Sequence, residues 1–168
     1  MRILFFTLFY LCCLNSLKSQ SKGDTQVWIM SIIENFQDKS LNGGKVWVYY
    51  SGGPNSSEQE IWFTKLESGG FFQYEIKLQD LNQVLVKKTD FGYTLSLGCI
   101  PSKRCCAITH QVVTETGSVV KSSSDTPKYN CEIYLTRGLS EDNMPNRLKK
   151  AIIHLITLNG GKVLSDTF

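Results

Sequence analysis

The run from Asn143 to Leu158, closed by Gly160 and Gly161, constrains this fold more than any other stretch of the chain. With Leu148 as origin and an advance of about 100° per residue, Met144, Ala151, Ile152, Leu155, Ile156 and Leu158 all fall within about 80° of it. Arg147, Lys149, Lys150, His154 and Thr157 lie outside that arc, and Ile153 is the apolar exception. Asn143 is the predicted cap, because Pro145 fits a first turn but not a helix interior. An apolar stripe of this width needs a surface to cover. The segments before it read as strands with one apolar face, so the expectation is an α+β fold in which a terminal helix seals an antiparallel sheet.

Residues 1–19 have the pattern of a secretory signal: Arg2, an apolar run from Ile3 to Leu14, then Ser16-Leu17-Lys18-Ser19 before a cut at Gln20. The apolar run falls short of the roughly 20 residues that span a bilayer. A short N-terminal anchor is the alternative. Cys12 and Cys13 are preceded by Leu11 and Cys12, where lipid processing wants a small residue, so no lipidation is expected. Cleavage leaves about 150 residues, enough for one domain, set at 20–161 with a tail at 162–168. The net charge of +3 for the whole chain falls to about +1 once Arg2 and Lys18 are removed, too little to draw nucleic acid or anionic lipid over distance. No later apolar run approaches membrane-spanning length. An exported protein, periplasmic or extracellular, is expected, without membrane insertion after cleavage and with a protein or small ligand as partner.

Export changes how the remaining cysteines read. Cys99, Cys105, Cys106 and Cys131 make an even set, and an oxidising compartment favours disulfides. The spacing has no C-x2-C knuckle, and adjacent cysteines do not easily share one tetrahedral zinc ion. No metal or other cofactor is expected.

Val27, Trp28, Ile29, Ile32, Ile33 and Phe36 recur at helical spacing, with Asp24 as the predicted cap. Gln26, Ser31, Glu34 and Asn35 supply a polar face without lysine or arginine, which favours core packing over membrane docking. Lys45 to Tyr50 predicts a strand covered on both faces, and Glu60 to Leu66 a second. Phe72, Tyr74, Ile76 and Leu78 alternate with polar residues, then Asp80-Leu81-Asn82 interrupts the pattern before Val84-Leu85-Val86. Tyr93, Leu95, Leu97 and Cys99 share one face of the next strand. Cys106 to Val113 is expected to return antiparallel beside it, with Cys105 or Cys106 across from Cys99. Glu115 to Lys128, rich in Ser and Thr, reads as a long loop. Asn130 to Thr136 is the last strand, with Cys131, Ile133 and Leu135 inward. In that register Cys131 stands near His110 or Gln111, too far from Cys106 for a bridge. It is expected to be a buried thiol unless the loop lets Cys105 reach it.

Val27-Trp28-Ile29 with Ile32-Ile33, Leu78-x-Asp80-Leu81 with Val84, and Tyr93-x-Leu95-x-Leu97-x-Cys99 with Cys105-Cys106 make a consistent set. With Arg147-Leu148-x-x-Ala151-Ile152-x-His154-Leu155-Ile156-x-Leu158 before Gly160-Gly161, the chain resembles the small exported proteins of Gram-negative bacteria that pair a leading W-I helix with a pleckstrin-homology-like (PH-like) body. The resemblance implies a bent antiparallel roll of about seven strands, with an N-terminal helix and a C-terminal capping helix. Its motifs are packing motifs and imply no activity.

No catalytic pattern stands out. His110 and His154 are the two histidines, and neither belongs to a recognisable metalloprotease, hydrolase or phosphate-loop motif. His154 reads as a helix boundary or surface residue. Cys106 with His110 as nucleophile and base would need an exposed, activated thiolate, which oxidation on export disfavours. Phosphoinositide binding in the manner of a PH domain would need basic residues in the Ser51–Glu60 loop, which instead carries Glu58 and Glu60. Lys103-Arg104 reads as a solvated turn, and Asn55-Ser56-Ser57 matches a glycan acceptor. Trp47, Tyr49 and Trp62 are the candidate ligand or partner face. The expectation is a non-enzymatic binding module, with a secreted enzyme or enzyme inhibitor as the alternative.

Overall fold

In the computed structural model the chain is described at residues 21–51, 60–67, 70–113 and 119–164, with the side chains of 51, 62, 65–67, 70, 113, 119–122 and 127 left aside. The leader, the glycan-acceptor tripeptide and most of the Ser51–Glu60 loop therefore lie outside the described residues. Two α-helices flank eight strands: α1 Lys22–Phe36, β1 Val46–Ser51, β2 Glu60–Glu67, β3 Gly70–Lys77, β4 Leu81–Lys88, β5 Tyr93–Cys99, β6 Cys106–Val113, β7 Val119–Lys128, β8 Asn130–Leu135 and α2 Met144–Leu158. Every strand pair is antiparallel. The strands form a five-stranded sheet, β1-β2-β3-β6-β7, and a three-stranded sheet, β4-β5-β8.

Period-2 alternation decides which faces meet. Val48, Phe63 and Ile108 lie in one inward row of the large sheet, and Ile61, Ile76 and Cys106 in the next. Val84, Leu95, Leu97, Cys131, Ile133 and Leu135 supply the inner face of the small sheet, and all of these residues from both sheets are buried. Leu148, Ile152, Leu155 and Ile156 of α2 join the same core with Ile29, Ile32 and Ile33 of α1. α2 packs along β4, α1 along β1, and the helices pack on each other. The predicted stripe is correct except at its end, where Leu158 is exposed. Gly160 takes φ +79°, a left-handed conformation open to glycine, and so terminates the helix.

Local capping differs from expectation. Ser21, not Asp24, is the N-cap of α1. Its hydroxyl accepts from the Asp24 N–H at 3.1 Å, and Asp24, three residues on, closes a capping box. Asn143 stands at the N-cap position of α2 but makes no side-chain cap; its Oδ1 accepts from Asn146 Nδ2 at 2.6 Å instead.

Three strand expectations need correction. The Ser/Thr-rich stretch contributes β7, so there are eight described strands; serine and threonine satisfy an edge strand's solvent face as readily as a loop. β6 does not return beside β5. It crosses into the large sheet between β3 and β7, and β8 takes the place next to β5. Cys131 consequently stands opposite Leu97, not His110 or Gln111. β1 is covered on one face only: Val46 and Val48 are buried while Tyr49 is exposed.

One polar side chain stitches the two sheet edges. Gln37 forms a backbone bridge to Leu135 at the edge of β8. Its amide nitrogen donates to the Val46 carbonyl at 3.0 Å and its Oε1 accepts from the Val46 N–H, at the edge of β1. An edge strand's unpaired groups are a liability, and here a buried glutamine satisfies them. Asn42 does the same for Tyr134, donating to its carbonyl at 2.8 Å and accepting its N–H at 3.0 Å.

Candidate functional site

The register that buries one face of the large sheet turns the other to solvent. Trp47 pairs with Thr64, Thr64 with Gln73, and Gln73 with Thr109; Tyr49 pairs with Trp62, Trp62 with Glu75, and Glu75 with Ala107. Trp47, Tyr49, Thr64, Gln73, Glu75, Ala107 and Thr109 are half-buried or exposed, and the helices pack on β1 and β4, with α1's Ile29, Ile32 and Ile33 in the core that lines the opposite face. The predicted partner residues thus fall on one outer surface, with the Trp62 side chain outside the described ones. The Tyr49 hydroxyl donates to Gln73 Oε1 at 3.3 Å, and Lys45 Nζ stands 5.1 Å from the centre of the Trp47 ring, within cation–π range.

This surface runs toward a corner where three connections cross between the sheets. The 3-10 turn Leu78–Asp80 carries β3 into β4, residues 100–105 carry β5 into β6, and Tyr129 carries β7 into β8. The crossings bind one another: Ile100 N–H donates to the Asp80 carbonyl at 2.9 Å, and Cys99 N–H to the Tyr129 carbonyl at 2.8 Å. Asp80 is a buried carboxylate, met by Lys103 Nζ at 2.5 Å; a buried charge persists when paired in this way. Arg104 lies 5.3 Å from the Tyr129 ring centre. A pocket of about 360 Å³ opens here, lined by Glu75, Lys77, Asp80, Lys103, Arg104, Cys105 and Ala107.

Cys99 and Cys105 form a disulfide. Cys106 and Cys131 lie outside it, both buried, on inner faces of the two sheets. The expected Cys99 pairing is therefore realised through Cys105, across a crossing connection and not across a hairpin. Among the described residues no group of three or more His, Cys, Asp or Glu is placed to hold a metal ion, and no helix is long and apolar enough to cross a membrane.

Burial raises the Glu75 carboxyl above the usual glutamate range, reinforced by the charge of Glu60 and a side-chain hydrogen bond with it; Lys77 opposes the shift. Two carboxyls in contact tend to share a proton. On the inner face, burial pushes the Tyr50 hydroxyl well above ordinary tyrosine. His110 stacks on Phe72 with ring centres 4.4 Å apart, on the opposite side of the sheet from Trp47 and Tyr49. His154 is exposed on α2. The structure does not bring His110 and the outer face together.

Reasoning on the sequence missed Gln73, Glu75, Asp80 and the ion pair that Lys103 makes with Asp80 while its side chain stays 52% exposed. Glu75 and Lys77 were visible as the polar phase of an alternating strand, a signal that marks an outer face without marking a site. No protein-family model, curated protein or solved structure matches the chain.

Proposed function

We propose that the protein is a non-enzymatic, exported binding module that engages a protein or small ligand through the outer face of the large sheet and the adjoining corner pocket. The observation that carries this reading is the solvent-facing row of Trp47 and Tyr49 beside Gln73, leading into the charged pocket. Aromatic side chains in the open, backed by a few convergent polar groups, are the usual composition of a binding surface. Export rests on the 1–19 pattern and is consistent with a disulfide. A PH-like roll is supported by the two antiparallel sheets and by the terminal helix packed on the core.

The test is heteronuclear NMR of the protein against panels of oligosaccharides, peptides and small carboxylic acids. A ligand is expected to shift resonances of Trp47, Tyr49 and Gln73, and the shifts should vanish in Trp47→Ala/Tyr49→Ala with melting temperature unchanged. Ligand shifts mapping to another surface would overturn the assignment. Residues 1–19 fused to a reporter should carry it out of the cytoplasm; retention would remove the exported address. A second reading, a secreted enzyme, is favoured by one feature, the Glu75 carboxyl raised by burial and by the neighbouring Glu60, since general acids are carboxyls with raised pKa values. Turnover of any substrate lost in folded Glu75→Gln would replace the binding reading.

A further inference from the structure

We infer that the Cys99–Cys105 disulfide is an exchange site for a small thiol of the glutathione or cysteine class, attacked at Cys105 from the corner pocket. This goes beyond the binding role and does not depend on it. Three observations carry it: access, stabilisation of the leaving group, and a connection that stays in place when the bond opens.

Cys105, 7% exposed, belongs to the pocket lining, so the pocket is the side from which an incoming sulfur would reach it. Small thiols of this class carry carboxylates and react as thiolates, so they arrive as anions. Lys77 and Arg104 supply positive charge at the pocket wall, while Lys103 is taken up by Asp80; burial and the charge of Glu60 favour the neutral form of Glu75, the other acidic group of the lining. The leaving sulfur is prepared as well. The Cys105 backbone N–H donates to Cys99 Sγ at 3.0 Å, a contact that strengthens when the acceptor becomes an anion. The Lys128 carbonyl oxygen lies 3.6 Å from the same sulfur, placed to accept the thiol proton once Cys99 is protonated.

The connection is held by more than the disulfide. Ile100 N–H to the Asp80 carbonyl, Lys103 N–H to the Ile100 carbonyl at 2.8 Å, and the Lys103–Asp80 ion pair all hold it without involving either disulfide sulfur. Exchange therefore needs no unfolding. The thiolate attacks Cys105 Sγ, the Cys99–Cys105 bond breaks, its electron pair goes to Cys99 Sγ, and a mixed disulfide forms on Cys105. One disulfide is consumed and one is made, so the small thiol is the only redox partner the exchange needs. Cys99 thiolate then re-attacks Cys105 and expels the thiol, or a second thiolate removes the adduct as a symmetric disulfide and leaves both cysteines reduced.

The test uses the full oxidised chain in glutathione buffers, quenched with acid and mapped by peptide mass. The mixed disulfide is expected on Cys105, and Cys99→Ser treated with glutathione disulfide should accumulate it there, with Cys106 and Cys131 unmodified. An adduct on Cys106 or Cys131 in place of Cys105 would overturn the proposal. Should Cys99→Ser fail to fold, the wild-type protein still decides. Its reduction rate by glutathione should stay flat across urea concentrations below the unfolding transition; a rate that climbs in step with unfolding refutes native-state exchange. Lys77→Gln/Arg104→Gln should slow glutathione by about three-fold or more at low ionic strength and leave uncharged 2-mercaptoethanol unaffected. Equal slowing of both thiols would count against the charged approach.

Discussion

The two faces of the five-stranded sheet are made by the same strands and share one set of backbone hydrogen bonds, yet they do different work. Inward, Val48, Phe63 and Ile108 lie in one buried row. Outward, one residue along, Tyr49, Glu75 and Ala107 lie in the next. Aromatic residues occur on both, so composition does not separate them. What separates them is whether a second layer lies above: the small sheet and the helices share the core on one side, and the other is left to solvent. Burial makes the inner aromatic a stability element, and exposure makes the outer ones available to a partner.

Substitutions across the sheet should break that symmetry sharply. Phe63→Ala, at a position with no solvent exposure, should cost about 3–5 kcal/mol in urea denaturation. Reduction of the Cys99–Cys105 bridge should cost about 2–3 kcal/mol, the entropic value of so short a loop; a protein equally stable with and without reductant would show the bridge to be energetically idle. Gln37→Ala should cost about 2 kcal/mol, since it strands the Val46 N–H and carbonyl at a buried seam. Tyr49→Ala, 37% exposed, should stay within about 0.5 kcal/mol of wild type. A loss as large as that of Phe63→Ala would make the outer face structural.

The smallest effect concerns pH. Glu75 has its carboxyl raised on folding, so the folded protein binds more protons than the unfolded one between the ordinary glutamate value of 4.5 and the raised one. Stability contributed by Glu75 is then complete below that window and lost as pH rises through it. Glu75→Gln should be the more stable protein at neutral pH by a few tenths of a kcal/mol, because the group is largely solvated, and the advantage should vanish below pH 4.5. Denaturation at two pH values measures it. A mutant advantage that grows on acidification would reverse the sign and remove the carboxyl pair as its cause.

Much of the architecture was legible from periodicity. The stripe of α2, the inward sets Leu95-Leu97-Cys99 and Cys131-Ile133-Leu135, and the break at Asp80 all follow from spacing, because burial selects apolar residues at the period of the element. β7 was not legible, since Ser, Thr and Asp on an edge strand lack an apolar phase. Nor was the partner of β6. A hairpin and a crossing begin with the same turn residues, and strand order depends on contacts distant in sequence. The site shared that fate. Trp47 and Tyr49 could be named as aromatic, but whether they face core or solvent depended on which side the small sheet packed.

Local chemistry by itself determined most of the elements: where the helices stop, which residues of the apolar strands share a face, and that a cysteine near Cys99 would pair with it. Tertiary structure decided the rest. It chose Cys105 over Cys106, because the crossing connection brings the Cys105 Cα to 5.5 Å from that of Cys99, while Cys106 opens β6 in the buried row of Ile61 and Ile76. It brought Glu75, Asp80, Lys103 and Arg104 together at the crossing of three connections, an arrangement no spacing encodes. And it placed Gln37 between two sheet edges, where the residue that ends α1 closes the fold because both edges needed a donor and an acceptor that the strands themselves lacked.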